Sequence, residues 1–291
     1  MKPAPFTYHA PETAAEAAGL LAELGDEAKA IAGGQSLVPM LALRLAVFDH
    51  LVDLRRVEGL RGVERRNGAV WIGAGTTQTE VQRSALVGEA VPLLSRATPL
   101  IGHFQIRNRG TIGGSIAHAD AAAEYPAVAL ALDAGLETLS PRGARVVPAT
   151  DFFTGLWSTA LAPDELLTGI SFPARGARSG FAIEEFARRS GDFAIAGAAV
   201  SVELDADGRV LRCGIGLFGL GSTPRRAPAA EAAATGGGAD SLSAEEIGRG
   251  AIAELDSVPS DLHASADYRR HLGAVMVARA WQRAVKEASD A

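Results

Sequence analysis

The segment Ile106-Arg-Asn-Arg-Gly-Thr-Ile-Gly-Gly-Ser-Ile-Ala-His-Ala-Asp120 carries a glycine pair, Gly113-Gly114, between the hydroxyl residues Thr111 and Ser115. Paired glycines allow a backbone to approach a ligand closely, and two consecutive N–H groups can then point at an anion. The flanking hydroxyls add further donors. The segment therefore predicts a phosphate-binding turn.

A second segment of the same pattern lies nearer the N-terminus. Ala32-Gly-Gly-Gln-Ser36 has an apolar lead-in, the pair Gly33-Gly34 and two polar residues, and it follows a short apolar strand predicted over 28–32. Gly33-Gly34 lacks both the spacing of a Rossmann G-x-G-x-x-G and the lysine of a P-loop. Together the two segments could hold two linked phosphates in a different kind of site.

Composition restricts the class of protein. The chain has 291 residues, of which 47% are apolar and 21% charged, a globular composition long enough for about two domains. A net charge of −6 argues against a nucleic-acid platform. Five arginines between Arg55 and Arg66 are interpreted as solvated surface, with protein docking as the alternative.

Cysteine content and hydropathy restrict the class of protein further. Cys213 is the only cysteine, so no disulfide, iron–sulfur cluster or cysteine zinc site is expected within this chain. The N-terminus has no apolar stretch of the signal-peptide type, and no segment approaches 18 uninterrupted apolar residues. We therefore expect a soluble cytoplasmic protein without a transmembrane segment.

Local patterns predict helices and strands along the whole chain. Capping boxes at Thr13 and Thr77 predict helices, each with a glutamate three residues further on. The segment Ala174 to Gly180 is predicted to form a linker. Other predicted elements before this linker are a helix over 91–101, a helix over 125–132, a hairpin over 135–147, a loop over 151–157 and a strand over 166–172. Predicted elements after it are strands near 181–188, 195–204 and 209–219 and helices near 227–234, 244–255 and 266–288.

The two glycine segments, with their flanks, resemble a known family. Ala32-Gly-Gly-Gln-Ser-Leu-Val-Pro-Met40 and Arg107-Asn-Arg-Gly-Thr-Ile-Gly-Gly-Ser115 look like the two flavin pyrophosphate motifs of FAD-binding medium subunits in molybdenum hydroxylases. That family includes carbon monoxide dehydrogenase, the bacterial xanthine dehydrogenases, and the nicotine and quinoline oxidoreductases. The resemblance extends over essentially the whole chain, through His118-Ala-Asp120, Glu165-Leu-Leu167 and Arg188-Arg-Ser-Gly-Asp-Phe193.

The resemblance implies an α+β fold. It implies a two-lobed FAD-binding domain of the PCMH/vanillyl-alcohol-oxidase type, followed by a C-terminal domain with a three-stranded antiparallel sheet and helices. The expected divisions are residues 1–56 for the first lobe, 57–175 for the second lobe and 176–291 for the C-terminal domain. FAD is expected between the two lobes.

The resemblance also implies a set of cofactor-binding residues and no catalytic or metal-ligating residue. The glycine segments are expected at the pyrophosphate, Glu124 at the ribose hydroxyls, Leu167 at the adenine end and Phe193 at the isoalloxazine ring. The full set is Ala32, Gly33, Gly34, Gln35, Ser36, Leu37, Ile101, Thr111, Ile112, Gly113, Gly114, Ser115, His118, Asp120, Glu124, Leu167 and Phe193.

Some of these residues have structural alternatives. Phe193 could be a core residue, and Glu124 could cap the helix that follows it. His118 and Asp120 could suggest a metal pair, but two ligands alone favour a structural role in the loop. Gln35 also departs from the family, because carbon monoxide dehydrogenase has histidine there.

The function implied by the resemblance is electron transfer. Substrate is oxidised at a molybdenum cofactor on a large subunit, and electrons pass through iron–sulfur clusters on a small subunit to FAD on this chain. FAD then delivers them to an external acceptor, and the expected assembly is a dimer of heterotrimers. The alternatives are a stand-alone FAD-dependent oxidase or reductase of the same fold, and a non-enzymatic module.

Overall fold

The computed structural model describes residues 2–291. The first lobe contains a three-stranded parallel sheet in the order β1-β3-β2. Helix α1 begins at the predicted capping box, where the Thr13 side chain accepts from the Glu16 N–H and the Glu16 carboxylate accepts from the Thr13 N–H. The elements are β1 (Thr7–His9), α1 (Ala14–Leu24), β2 (Ala28–Ile31), α2 (Leu37–Ala42) and β3 (His50–Asp53).

The second lobe is built on an antiparallel five-stranded sheet in the order β4-β5-β10-β6-β7, with a separate two-stranded hairpin formed by β8 and β9. Its first strands and helices are β4 (Val63–Arg66), β5 (Ala69–Gly73), α3 (Gln78–Arg83), α4 (Ala85–Ala90), α5 (Pro92–Ala97), α6 (Phe104–Arg107), α7 (Ile112–His118) and α8 (Glu124–Ala131). The remaining elements are β6 (Gly135–Ser140), β7 (Gly143–Pro148), α9 (Ala149–Phe152), β8 (Phe153–Gly155), β9 (Ser158–Thr159) and β10 (Leu166–Pro173).

Two predicted helices of this lobe are shorter than expected. The helix predicted over 91–101 ends at Ala97, and a 3₁₀ turn over Thr98–Leu100 follows it. Pro99 accounts for the change, since it lacks the N–H that would continue the helical hydrogen bonds. The helix that begins at Thr77 is interrupted at Ser84, whose hydroxyl caps α4 by accepting from the Val87 N–H.

The segment predicted as a loop over 151–157 contains the end of α9 and all of β8. Strand β4 was not predicted, because its four residues include Arg65 and Arg66 of the arginine run. On β4 the Arg65 guanidinium reaches Glu89 at 2.8 Å and both side chains are exposed, as expected for solvated surface.

The C-terminal domain has the three predicted strands, and the short β14 adds a fourth at the edge of the sheet in the order β11-β12-β13-β14. A strand of two residues carries no periodicity, so the sequence could not reveal it. The elements are β11 (Ser179–Phe186), β12 (Ala196–Leu204), β13 (Val210–Phe218), β14 (Arg225–Arg226), α10 (Pro228–Ala234), α11 (Ala244–Ala253) and α12 (Ala266–Asp290).

Helix α8 of the second lobe packs directly on the C-terminal sheet, and all eight of its residues are buried. A Cβ added at Gly214 would lie 2.1 Å from the Ala131 carbonyl oxygen, and one added at Gly216 would lie 2.0 Å from that of Ala127. Only glycine allows the helix backbone to lie this close to the strand. The second lobe and the C-terminal domain therefore share one buried core along α8.

The opposite face of the C-terminal sheet is covered by α12, which contacts β11 and β12. Trp281 of α12 is buried there in a second hydrophobic cluster. Within residues 2–291, no helix combines the length and the apolar character needed to cross a membrane.

Gly216→Ala should lower the free energy of unfolding by about 1–3 kcal/mol, since the new methyl group would overlap the Ala127 carbonyl oxygen. Urea unfolding of the two proteins measures the difference. Gly19→Ala in α1 is the matched control, because an added Cβ there meets nothing within 4 Å. The control should be neutral or stabilising, because alanine is the better helix former. Equal stability of Gly216→Ala and the wild type would contradict the close-contact interpretation.

Candidate FAD site

The first glycine segment leaves the carboxyl end of β2 as an open turn. Gly34 has φ +73°, in the left-handed region that glycine adopts without strain. The Gln35 side chain closes the turn by donating from Nε2 to the Gly33 carbonyl at 2.9 Å. The backbone N–H groups from Gly33 to Ser36 have no hydrogen-bond acceptor among residues 2–291. This turn therefore presents free donors, as an anion site requires.

The second glycine segment is the start of α7 and not an open loop. The Thr111 hydroxyl caps the helix by accepting from the Gly114 N–H at 3.0 Å. The Gly113 N–H donates to the Ala74 carbonyl at 2.9 Å, and that of Ser115 donates to the Thr111 carbonyl at 3.1 Å. The expectation of two free glycine N–H groups is therefore wrong for this segment, because the helix and its cap use them. The hydroxyl of Ser115 has no partner in the part of the chain that the structure describes.

The two glycine segments touch each other across the boundary between the lobes. A Cβ added at Gly33 would lie 2.2 Å from the Arg109 carbonyl oxygen and 2.7 Å from the Gly110 Cα. One added at Gly114 would lie 3.6 Å from the Ala32 Cβ. Because Gly33 and Gly114 have no side chains, the open turn of the first lobe lies directly against the start of α7.

Hydrogen bonds to the connection between β5 and the start of α3 hold the second glycine segment in place. The Gln78 N–H donates to the Gly110 carbonyl at 2.8 Å, and the Ile112 N–H donates to the Thr76 carbonyl at 3.0 Å. Ala74, which accepts from Gly113, donates its own N–H to the Thr168 carbonyl at 3.0 Å. Leu167 lies beside Thr168 at a bulge in β10. The structure therefore brings Leu167 close to the glycine segment.

His118 ends α7, one turn beyond Gly114. Its ring stacks on Trp157 with centroids 6.3 Å apart and planes at 11°. Burial lowers the pKa of His118, and the nearby Asp120 opposes that effect. Asp120 accepts from the Ala122 N–H at 2.8 Å, which shapes the turn before α8. In residues 2–291 no three His, Cys, Asp or Glu side chains gather as metal ligands would.

Glu124 is the first residue of α8 and its side chain is buried, with 8% of its surface exposed. Burial raises the pKa of Glu124 to about 8, and the charges of Glu185 and Asp120 act in the same direction. Helix α8 has Ala123 at its N-cap and no side-chain cap hydrogen bond. The structure therefore does not place Glu124 as the cap of α8.

The loop over 187–193 of the C-terminal domain lies against the second lobe. A Cβ added at Gly191 would lie 3.1 Å from the His103 Cε1 atom and 3.2 Å from Gly102. Arg107 holds that part of the second lobe, since its Nη1 donates to the Ile101 and Gly102 carbonyls, both at 2.9 Å. Phe193 is the last residue of this loop and has 73% of its surface exposed, so it is not a core residue.

Sequence reasoning missed Glu185 and Trp157. Glu185 lies on β11, and its Oε2 atom is buried without a hydrogen-bond partner among the described residues. Strand alternation could have shown that Glu185 shares a face with Phe181 and Ile183, but nothing in the sequence places that face against the second lobe. Trp157 has a left-handed backbone with φ +51° and an exposed ring, and the sequence gives no signal for either feature.

Comparison with known proteins identifies the class. Residues 4–175 match the family described as FAD binding domain in molybdopterin dehydrogenase, and residues 181–284 match the CO dehydrogenase flavoprotein C-terminal domain. The chain belongs to this family of FAD-binding dehydrogenase flavoproteins. The match confirms the predicted fold class and FAD as the cofactor of the domain.

Similar proteins cover the chain from end to end. The chain is 41% identical over 288 residues to the 6-hydroxypseudooxynicotine dehydrogenase complex subunit alpha of Paenarthrobacter nicotinovorans, covering 99% of this chain and 97% of that protein. It is 38% identical to the carbon monoxide dehydrogenase medium chain of Afipia carboxidovorans, with both chains fully covered. A solved carbon monoxide dehydrogenase structure from Hydrogenophaga pseudoflava matches with a TM-score of 0.96 and 40% identity, over 99% of each chain.

Thr111→Val should lower the free energy of unfolding by about 1 kcal/mol, because the Gly114 N–H loses its cap acceptor. Thermal unfolding of the flavin-free chain measures this effect. Thr111→Ser keeps the hydroxyl and is the matched control, so it should remain close to the wild type. If the valine and serine variants were equally stable, the cap would not hold α7 in place.

Proposed function

We propose that this chain is the FAD-binding medium subunit of a molybdenum hydroxylase. It would receive electrons from iron–sulfur clusters on a small subunit and pass them through FAD to an external acceptor. The observation that carries this proposal is the direct contact between the two glycine segments, with free backbone donors at the first. Such a junction between two lobes suits a linked pair of phosphates.

The residues present fit the pyrophosphate of FAD. The N–H groups from Gly33 to Ser36, with the hydroxyl of Ser36, would donate to one phosphate. Thr111 to Ser115 would form the opposite wall, with the free Ser115 hydroxyl as a donor and Gly114 leaving room for the ligand. Gln35 would keep its bond to the Gly33 carbonyl and so fix the shape of the turn.

The remaining expected residues would position the rest of the cofactor. Glu124 would meet the ribose hydroxyls, and Leu167 would contact the adenine end through its backbone. Ile101 and Phe193 would lie at the isoalloxazine ring, where the exposed Phe193 ring can exclude water. Leu37, Ile112, His118 and Asp120 would complete the lining of the site. FAD supplies the redox chemistry when bound, and this chain binds and orients it.

The assembly is also part of the proposal. Cys213, the only cysteine, is buried in the C-terminal core, so iron–sulfur clusters would have to lie on another chain. Relatives of full length are named as medium chains or as subunits of dehydrogenase complexes. A small iron–sulfur subunit and a large molybdenum subunit would complete a heterotrimer, and two heterotrimers would form a cytoplasmic dimer. The acceptor would be a quinone, NAD, oxygen or a carrier protein.

Gly114→Val should remove FAD from the purified chain, because the added Cβ would lie 2.8 Å from the Thr111 Oγ1 atom and the branched side chain would fill the space beside Ala32. The ratio of flavin absorbance to protein absorbance measures the loss. Gly88→Val is the matched control, since Gly88 is an exposed helical glycine with nothing within 4 Å of an added Cβ. Full FAD content in the Gly114→Val protein would refute the assignment of the second segment.

Ser115→Ala should weaken FAD binding by about tenfold, the effect of losing one hydrogen bond of about 1.4 kcal/mol to a charged group. Titration of the flavin-free chain with FAD measures this change. The alanine adds no volume, so a steric effect would not explain the result. Unchanged affinity would remove Ser115 from the donor set.

Co-purification from the native host tests the assembly. The proposal expects this chain to associate with an iron–sulfur subunit and a molybdenum subunit. A flavin-bound chain that remains alone and turns over a substrate by itself would favour the stand-alone oxidase or reductase. A chain without flavin absorbance would refute both enzyme functions.

A further inference from the structure

The turn between β8 and β9 carries an exposed tryptophan. Gly155 pairs with Ser158, so Leu156 and Trp157 form the two-residue tip of this hairpin. Trp157 has φ +51° at the second position of the turn, where glycine or asparagine is usual. A bulky residue in the left-handed region is a strained outlier. The Trp157 side chain is 56% exposed, so packing in the core does not account for this conformation.

The indole ring of Trp157 lies against the end of α7. It stacks on His118 with ring centroids 6.3 Å apart and planes at 11°. This separation is close to the limit of about 7 Å for interacting aromatic pairs, so the two rings are offset. Much of the indole face therefore stays uncovered, and a further planar ring can stack on it.

His118 lies on the face of α7 that carries the proposed pyrophosphate contacts. Gly114 and Ser115 precede His118 by four and three residues, a spacing that puts all three on one side of the helix. These three residues are partly exposed, whereas Ile116 is buried. At Gly114 this side faces the first lobe, because an added Cβ would lie 3.6 Å from the Ala32 Cβ. The face therefore runs from the junction of the glycine segments to the pair formed by His118 and Trp157.

The length of this face identifies the part of FAD that would reach Trp157. Four residues of α-helix rise about 6 Å, so His118 lies about that far along α7 from Gly114. In FAD a single ribose separates the pyrophosphate from the adenine, whereas a five-carbon ribityl chain separates it from the isoalloxazine. The shorter arm suits a step of about one helical turn, so the adenine is the ring expected at Trp157.

The other expected cofactor contacts agree with this direction. Strand β10, which carries Leu167 of the proposed adenine end, contacts α7. Ile101 and Phe193, proposed at the isoalloxazine, belong to a different contact, where Gly191 meets Gly102. Within residues 2–291, no side-chain hydrogen bond or aromatic pair joins the β8–β9 hairpin to the loop over 187–193.

We propose that Trp157 is a cofactor-binding residue of the FAD site, whose exposed indole face stacks on the adenine ring. The inference rests on the proposed function, because it takes FAD to be the ligand. A purine base has a flat aromatic face, and such a face stacks favourably on tryptophan. The strained turn then has a role, since it holds the ring at the end of α7 where the ligand passes.

ADP is the probe for the wild-type chain, because it contains the adenine, ribose and pyrophosphate of FAD but no flavin. The chain has three tryptophans, and both Trp71 and Trp281 are buried. We expect ADP to quench the tryptophan emission of the flavin-free full chain, and Trp157→Phe to lose that quenching. A chain that binds FAD but shows no quenching at millimolar ADP would overturn the proposal. This measurement on the wild type does not depend on the folding of a variant.

Trp157→Ala measures the strength of the contact by calorimetric titration with ADP. We expect the affinity to fall by about tenfold or more, as when a base loses an aromatic stacking partner. Trp157→Phe keeps an aromatic ring and should retain most of the affinity. Leu156→Ala is the matched control, because Leu156 is the other exposed residue at the tip of the hairpin. Equal ADP affinity in Trp157→Ala and the wild type, or an equal loss in Leu156→Ala, would refute the stacking role.

FMN separates stacking on adenine from a structural role of the hairpin. FMN contains the isoalloxazine and one phosphate but no adenine, so its affinity should be unchanged in Trp157→Ala. If FMN and ADP lost affinity equally, Trp157 would shape the whole site, and a loss for FMN alone would place its ring at the isoalloxazine. Both results would overturn the proposal.

Titration with FAD itself distinguishes this proposal from the proposed function. We expect Trp157→Ala to bind FAD about tenfold more weakly than the wild type does. If both proteins bind FAD with equal affinity, the role of Trp157 is refuted and the proposed function stands. If the wild type binds neither FAD nor ADP, the proposed function fails, and the role of Trp157 fails with it.

Discussion

The backbone contact between α8 and β13 is the constraint on which the arrangement of this chain depends. Gly214 and Gly216 let the Ala131 and Ala127 carbonyls lie where a methyl group would otherwise stand. Because no side chain can adjust this separation, the helix has one position on the sheet. That position presents Glu124, at the start of α8, to the C-terminal domain. The cofactor domain and the C-terminal domain therefore meet through backbone contact as well as through apolar packing.

A second glycine contact, between Gly33 and the segment at Arg109 and Gly110, brings together the two sides of the proposed FAD site. The two sides differ in how many free backbone donors they offer. The turn over 33–36 offers free N–H donors, whereas the start of α7 offers a wall whose backbone donors are already bonded. A flexible loop on both sides would have to be ordered by the ligand at an entropic cost. Here one side is held by Ala74, Thr76 and Gln78 before any ligand arrives. The two sides of the proposed FAD site are therefore ordered to different degrees by the protein itself.

Much of the secondary structure could be predicted because its signals are local. The capping boxes at Thr13 and Thr77 each involve residues close together in the sequence. Two helices are shorter than predicted because Pro99 and Ser84 interrupt the helical pattern. Strand β14 was not predicted because two residues are too few to show an alternating pattern. The glycine segments were recognised as a pair, but the hydrogen bonds of Gly113 were not foreseen. Its acceptor, Ala74, lies on a different strand-to-helix connection.

The amino-acid sequence by itself determined the family, the cofactor and the two segments that meet at the lobe boundary. Those properties follow from residue types at fixed spacings, which the chain carries whatever its conformation. Only the tertiary structure decided which donors remain free, that Phe193 is exposed, and that Glu184 forms an ion pair with Arg283 of α12. These facts depend on contacts between residues far apart in the chain. The burial of a side chain and the charges around it at such contacts depend on packing. They can therefore be determined only from the folded arrangement of the lobes and the C-terminal sheet.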